Sequence, residues 1–191
     1  MLVIGGLTPF TTIDYPGKLA AVVFCQGCPW RCGYCHNQHL LPFKKQGMVS
    51  WQEVQQLLGQ RRGLLDAVVF SGGEPTMQPA LPEALAWVRG MGFLTGLHTA
   101  GPYPDRLAVC LPYLDWVGMD LKAPFERYDE LTGVRGSGTA AEQSAKLLRE
   151  VGGARQFRVT VDSQLHSEGC LHGMQQMVRE WGYELVLQPR R

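Results

Sequence analysis

"LAAVVFCQGCPWRCGYCHN", residues 19–37, joins an apolar run to a loop crowded with cysteines. The run, Leu19 to Phe24, has the length and apolar continuity of a buried strand. Outward from it the pattern repeats. "AVVF" (67–70), "FLTGLHT" (93–99), "WVGMDLK" (116–122), "QFRVTV" (156–161) and "YELVLQ" (183–188) read as five further strands. Helical patterns separate them. Ser50-Trp51-Gln52-Glu53 is a capping box, and Trp51, Val54, Leu57 and Leu58 share one helix face. Pro79 suits the first turn of a helix burying Leu81, Leu85 and Val88, and residues 104–114 read as another. "APFERYDELTGV" (123–134) reads as a loop. Thr139 to Glu142 is a second capping box, opening a helix through Leu147, Leu148 and Val151, and Leu171, Met174, Val178 and Trp181 mark the last.

Six βα-like units with short connections predict a parallel sheet with right-handed crossovers. Nearly continuous apolar strands predict that both sheet faces are covered. Six units are too few for an eight-stranded barrel, so the α/β fold expected is a partial (βα)6 TIM-like barrel, open on one side. A flat doubly wound sheet is the alternative. One domain spanning residues 1–191 is expected. Chemistry belongs at the carboxyl ends of the strands, where the cysteine loop, "SGGEPT", "HTAG" and "DLKAP" all fall.

The formal net charge is +1, and 45% of the 191 residues are hydrophobic. Lys44–Lys45 and Arg61–Arg62 read as solvated faces, so no nucleic-acid partner is expected. No stretch has the makeup of a signal peptide or a membrane span. A cytoplasmic location follows as the expectation, and in that reducing compartment clustered cysteines argue for metal or catalysis rather than disulfides.

Cys28 and Cys32 lie too close together for two independent zinc knuckles, and the C-x2-C-x2-C-x3-C-P run of ferredoxins does not match. The spacing Cys28-x3-Cys32-x2-Cys35 lets one tight loop put three thiolates on three corners of a [4Fe–4S] cube, leaving the fourth iron open. Cys25, at the strand's end, reads as a small buried hydrophobe rather than a spare ligand, and Cys110 and Cys170 as packing residues.

The three-cysteine pattern resembles that of the radical S-adenosylmethionine (radical SAM) superfamily. The resemblance implies that the open iron chelates the amino and carboxylate groups of S-adenosylmethionine. Reduction of the sulfonium then gives methionine and a 5′-deoxyadenosyl radical. It also implies cofactor-binding roles for Gly72, Gly73 and Glu74, the superfamily's Gly-Gly-Glu, with carbonyls and carboxylate accepting from the cofactor's ammonium. Tyr34 fills the aromatic place whose backbone holds adenine in relatives. Asp120 and Lys122 match a D-x-K of glycyl-radical activating enzymes. Thr99 carries over from an Asp-Thr pair whose first place is here His98, and Arg158 opens the fifth strand as in those relatives. His36, His166 and His172 receive no role beyond surface or capping ones.

"TPFTTIDYPGKLAAVVFCQGCPWRCGYCHN", with its T-x-D-x-P-G and "CHN", is similar to the start of glycyl-radical activating enzymes. With "SGGEPT", "DLKAP", "YDELTGV" and "RVTV", the chain resembles most the compact type that serves anaerobic ribonucleoside-triphosphate reductase. The partners implied are a glycyl radical enzyme, that reductase first, and a flavodoxin- or ferredoxin-type electron donor. Activation of pyruvate formate-lyase is the nearest alternative. A small-molecule enzyme like 7-carboxy-7-deazaguanine synthase would carry a "QGEG"-type entry and a Thr after the cysteines, where this chain has "DYPG" and His36-Asn37. An iron–sulfur scaffold would need no "SGGEPT" rim.

Overall fold

The computed structural model describes residues 1–44, 46–162 and 166–189. Its strands are β1 (Ile4–Thr11), β2 (Ala20–Cys25), β3 (Ala67–Gly72), β4 (Leu94–Thr99), β5 (Trp116–Asp120), β6 (Ala154–Val161) and β7 (Leu185–Pro189). They form one sheet in chain order, parallel throughout except for β1 against β2. β1 and β7 are the two edges, so the sheet does not close, and the open partial barrel is the fold. All six expected strands form. β1 is additional, hidden from pattern reading by the two glycines and the proline of its sequence IGGLTPFT.

The helices are α1 (Trp51–Gln60), α2 (Leu81–Gly90), α3 (Pro104–Cys110), α4 (Tyr128–Thr132), α5 (Ser137–Val151) and α6 (Glu168–Glu180). The capping box before α1 makes both of its hydrogen bonds, between Ser50 and Glu53. Four details depart from the sequence reading. Pro82, not Pro79, occupies the first turn of α2. Residues 123–134 are not all loop, because α4 lies within them. The box proposed at Thr139 does not form. α5 begins earlier, after Gly136 in the left-handed region (φ +80°), and Asp129 accepts from the Gly136 N–H and the Ser137 hydroxyl instead. Val151, expected on the buried face of that helix, is 54% exposed. Lys44, Arg61 and Arg62 are exposed, whereas Lys45 lies outside the described residues.

Helices cover one face of the sheet only, which corrects the expectation of two. Alternation sends Ala21, Val23 and Cys25 of β2, Val68 and Phe70 of β3, Val117 and Met119 of β5, and Phe157 and Val159 of β6 toward the helices. There they meet Val54, Leu58, Leu85, Leu107, Leu148 and Met174. Each such burial contributes about 1.5–3 kcal/mol, so this face supplies most of the stability. Cys25 and Cys110 are buried in it as small hydrophobes, and Cys170 packs at its margin. On the inner face the intervening residues, Ala20, Val22, Ala67, Val69 and Trp116, form a smaller cluster. Its cover is Tyr15, from the β1–β2 connection, whose ring lies 5.2 Å from that of Trp116. No helix among the described residues is long and apolar enough to cross a membrane.

Candidate active site

The alternation that builds the apolar inner floor continues upward and changes character. Ser71 follows Val69, His98 follows Gly96, Asp120 follows Trp116 and Gly118, and β6 adds Arg158 and Thr160. A side chain at Gly118 would clash, its Cβ meeting the Trp116 ring at 2.6 Å and Arg158 Nη1 at 3.1 Å. Glycine there leaves the Arg158 guanidinium room to lie across β5. Above this polar ring opens a cavity of about 220 Å³. Its wall brings together Cys28, Cys32, Cys35, Tyr34, Gly72, Gly73, Thr99, Asp120, Lys122 and Arg158, from the ends of four strands and the cysteine loop.

Backbone contacts fix that loop. Gly72 takes φ +117°, and a Cβ on it would lie 2.4 Å from the Cys25 carbonyl oxygen. One on Gly73 would lie 2.2 Å from that of Gly27. Both positions must be glycine so that the end of β3 can press against the loop. The Gly73 N–H then donates to Cys25 O and the Glu74 N–H to Gly27 O, each at 2.9 Å. Gln26 donates to the carbonyls of His39 and Pro42, and Gln78 spans Val3 and Gln26. On the far side the Arg31 N–H donates to Thr132 O, and Trp30 meets Tyr128 edge-on at 5.7 Å. The segment read as a loop is therefore the outer buttress of the cysteines.

Glu74 is the one expected residue that is absent from the wall. Only 1% exposed, its carboxylate accepts from the Thr76 N–H and hydroxyl, the Thr99 hydroxyl and the Ala100 N–H. It ties the end of β3 to the end of β4. Burial raises its pKa, and those four donors oppose the rise.

The charges on the wall hold one another. The Arg158 Nε–H donates to Asp120, and Lys122 Nζ lies 3.7 Å from the other carboxylate oxygen. Burial alone would raise the Asp120 pKa, yet the two cations hold it well below the usual carboxylate range. The Lys122 peptide is clamped at both ends. Its N–H donates to the Tyr128 hydroxyl at 2.8 Å, and its carbonyl accepts from His166 Nε2 at 2.8 Å. His166 accepts at Nδ1 from the Asp162 N–H, which fixes the Nε2–H tautomer. His166 is thus buried and structural, not a surface histidine.

His98, given no role by the sequence, sits at the centre of the ring. Its Nδ1 lies 3.1 Å from the Ser71 hydroxyl, and its Nε2 lies 2.9 Å from the Asp14 carbonyl and 3.1 Å from Arg158 Nη1. Burial, then the Arg158 charge, lowers its pKa to about 4, so the ring is neutral near pH 7. His36 and Asn37 also line the wall. Strand parity was the signal that could have found Ser71 and His98.

Burial, with Glu74 adding to it, pushes the Cys28 thiol up to about 12, and burial also raises Cys32. Metal binding at such thiols must displace their protons, which a multiply charged iron centre does. The donor set fits an iron–sulfur cluster: three cysteines from one loop, a nearby ammonium, and a Tyr34 hydroxyl buried without a partner among the described residues. No three His, Cys, Asp or Glu side chains among the described residues converge on a single ion.

The sequence profile of the radical SAM superfamily matches residues 22–162. A Methanocaldococcus jannaschii protein, provisionally named a glycyl-radical enzyme activating enzyme, is 32% identical over 163 residues, covering 83% of this chain and 65% of its own. A PqqA peptide cyclase of Xanthomonas euvesicatoria is 30% identical, over 83% of this chain and 43% of its own. The pyruvate formate-lyase-activating enzyme of Clostridium pasteurianum is 33% identical, over 58% and 48%. The chain spans about two fifths to two thirds of these relatives' lengths. Among solved structures, Streptococcus suis SuiB bound to S-adenosylmethionine superposes with a TM-score of 0.69 at 17% identity, over 87% of this chain and 39% of that one. Members of the superfamily use a [4Fe–4S] cluster and S-adenosylmethionine, and the wall just described has the residues to hold both. With its open parallel sheet, its three-cysteine loop and the profile match across most of its length, the chain belongs to the radical SAM superfamily.

Proposed function

We propose that this radical SAM enzyme is a glycyl-radical activating oxidoreductase, and that its partner is anaerobic ribonucleoside-triphosphate reductase. The observation that carries the reading is the T-x-D-x-P-G segment, which resembles that of activases and is built into the site. Asp14 lends its carbonyl to His98 and accepts at its carboxylate from the hydroxyl of Thr11, just before the segment, and Tyr15 closes the floor against Trp116. The similarity to activating enzymes supports the same reading.

In this reading Cys28, Cys32 and Cys35 hold the cluster. Gly72 and Gly73 present backbone to S-adenosylmethionine, and Tyr34, Thr99, Asp120, Lys122 and Arg158 line its place, with Glu74 securing Thr99 from behind. When bound, the cluster supplies the electron that cleaves the sulfonium and releases the 5′-deoxyadenosyl radical. The apolar floor keeps water from below the site, and the neutral His98 ring offers no mobile proton beside it. A glycine Cα suits such a radical, because both flanking amides stabilise the product and no side chain obstructs approach. A flavodoxin- or ferredoxin-type protein of the cytoplasm would supply the electron.

The test is anaerobic incubation of the cluster-loaded protein with reductant, S-adenosylmethionine and the reductase. A glycine-centred doublet in electron paramagnetic resonance is expected, with one 5′-deoxyadenosine per radical. A doublet with pyruvate formate-lyase but not the reductase would reassign the partner. The cyclase similarity favours one second reading, peptide modification. A cross-linked peptide product with no protein radical would establish that instead.

A further inference from the structure

Tyr34 stands between two cysteines of the cluster loop and is 6% exposed. Its hydroxyl oxygen is fully enclosed, yet it has no hydrogen-bond partner among the described residues. The contrast with Tyr128 is instructive. That hydroxyl is equally buried but accepts from the Lys122 N–H. A buried hydroxyl left unpaired costs free energy, and folding alone gives no reason to keep it. Among the described residues no group accepts the hydroxyl's proton. Lys122, whose Nζ lies 5.9 Å from the ring centroid, has donors only. The Asp120 carboxylate is engaged by Arg158 and Lys122. The acceptor for that proton is then supplied by what the cavity binds, whose wall includes Tyr34.

We propose that the Tyr34 hydroxyl donates a hydrogen bond to a sulfur of the iron–sulfur cluster held by Cys28, Cys32 and Cys35, raising the cluster's reduction potential. The inference rests on the cluster site described above and adds to it a residue that tunes its electronics. A hydrogen bond to a cluster sulfur stabilises the more negative, reduced state over the oxidised one. The backbone at position 34 can serve the cofactor whatever its side chain, so the hydroxyl is a separate device.

The test compares wild type with Tyr34→Phe after anaerobic reconstitution. The variant is expected to take up the same iron, and its reduction potential, titrated without S-adenosylmethionine, is expected to shift to more negative values. An unchanged potential overturns the proposal, and an unchanged potential with weakened S-adenosylmethionine binding assigns the hydroxyl to the cofactor instead. In the cluster-free protein, Tyr34→Phe should unfold at the same temperature as wild type or higher, since no protein partner is lost. A lower unfolding temperature would reveal an internal partner and overturn the proposal too. Wild type that takes up no cluster overturns the cluster site itself, and the role of Tyr34 with it.

Discussion

The two faces of this one sheet are built from neighbouring residues of the same strands, yet they do opposite work. Toward the helices, Val23, Val68, Phe70, Val117, Met119 and Phe157 are apolar, with Thr95 and Thr99 of β4 and Arg155 of β6 the polar residues at the same parity. Toward the interior, Ala20, Val22, Ala67 and Val69 line the floor, and Ser71, His98, Asp120 and Arg158 line the cavity above it. Stability and chemistry are thus separated by a period of two. A substitution should act on one or the other according to parity.

The cysteines give the sharpest contrast. Serine at Cys28, Cys32 or Cys35 should abolish cluster uptake and cofactor cleavage, as iron analysis and 5′-deoxyadenosine formation would register. Alanine at Cys110, on the helix side, should leave both intact. On the helix face Phe70→Ala should cost about 3–5 kcal/mol in denaturant unfolding, with iron bound per folded chain unchanged. Iron lost in proportion to nothing but residue 70 would break the separation.

His98 carries a pH signature. In the folded chain it stays neutral down to about pH 4, whereas unfolded it protonates near 6.5. Between those values the unfolded chain binds more protons, so stability is full above pH 6.5 and is lost as the pH falls through the window. The loss is about 3 kcal/mol, at 1.36 kcal/mol per pKa unit. His98→Gln should flatten that part of the curve, and an equally steep curve in the variant would show that other groups cause it. A smaller effect is expected at Glu74, the buried tie between β3 and β4. Glu74→Ala should lower the stability of the cluster-free protein by about 1–3 kcal/mol, read by thermal unfolding. Full stability with weakened cofactor binding would place its carboxylate at the ligand rather than behind it.

What could be read from the sequence follows the same division. Six strands were visible because apolar continuity marks a buried parallel strand, and the site's location followed from where their carboxyl ends fall. β1 was not visible, since glycines and proline dilute its signal. The helix-free face was missed because an apolar run does not say which of its residues face helices. Ten of the eleven expected site residues line the cavity. Glu74 does not, because a motif fixes position along the chain but not the direction of a carboxylate with four local donors. His98 and His166 were passed over for a related reason: a lone histidine acquires a role only from partners distant in sequence, here Asp14, Ser71 and Arg158 for one and Lys122 for the other.

Cys25 and Cys28 decide the account between them, one buried toward the helices and the other on the cavity wall. The most direct measurement is electron paramagnetic resonance of the reduced, anaerobically reconstituted protein, wild type and Cys25→Ala, recorded with and without S-adenosylmethionine. The account predicts a [4Fe–4S] signal in both, and the same change in each when the cofactor is added, because three cysteines leave one iron open to it. A signal lost in Cys25→Ala, or one indifferent to S-adenosylmethionine in wild type, would contradict it.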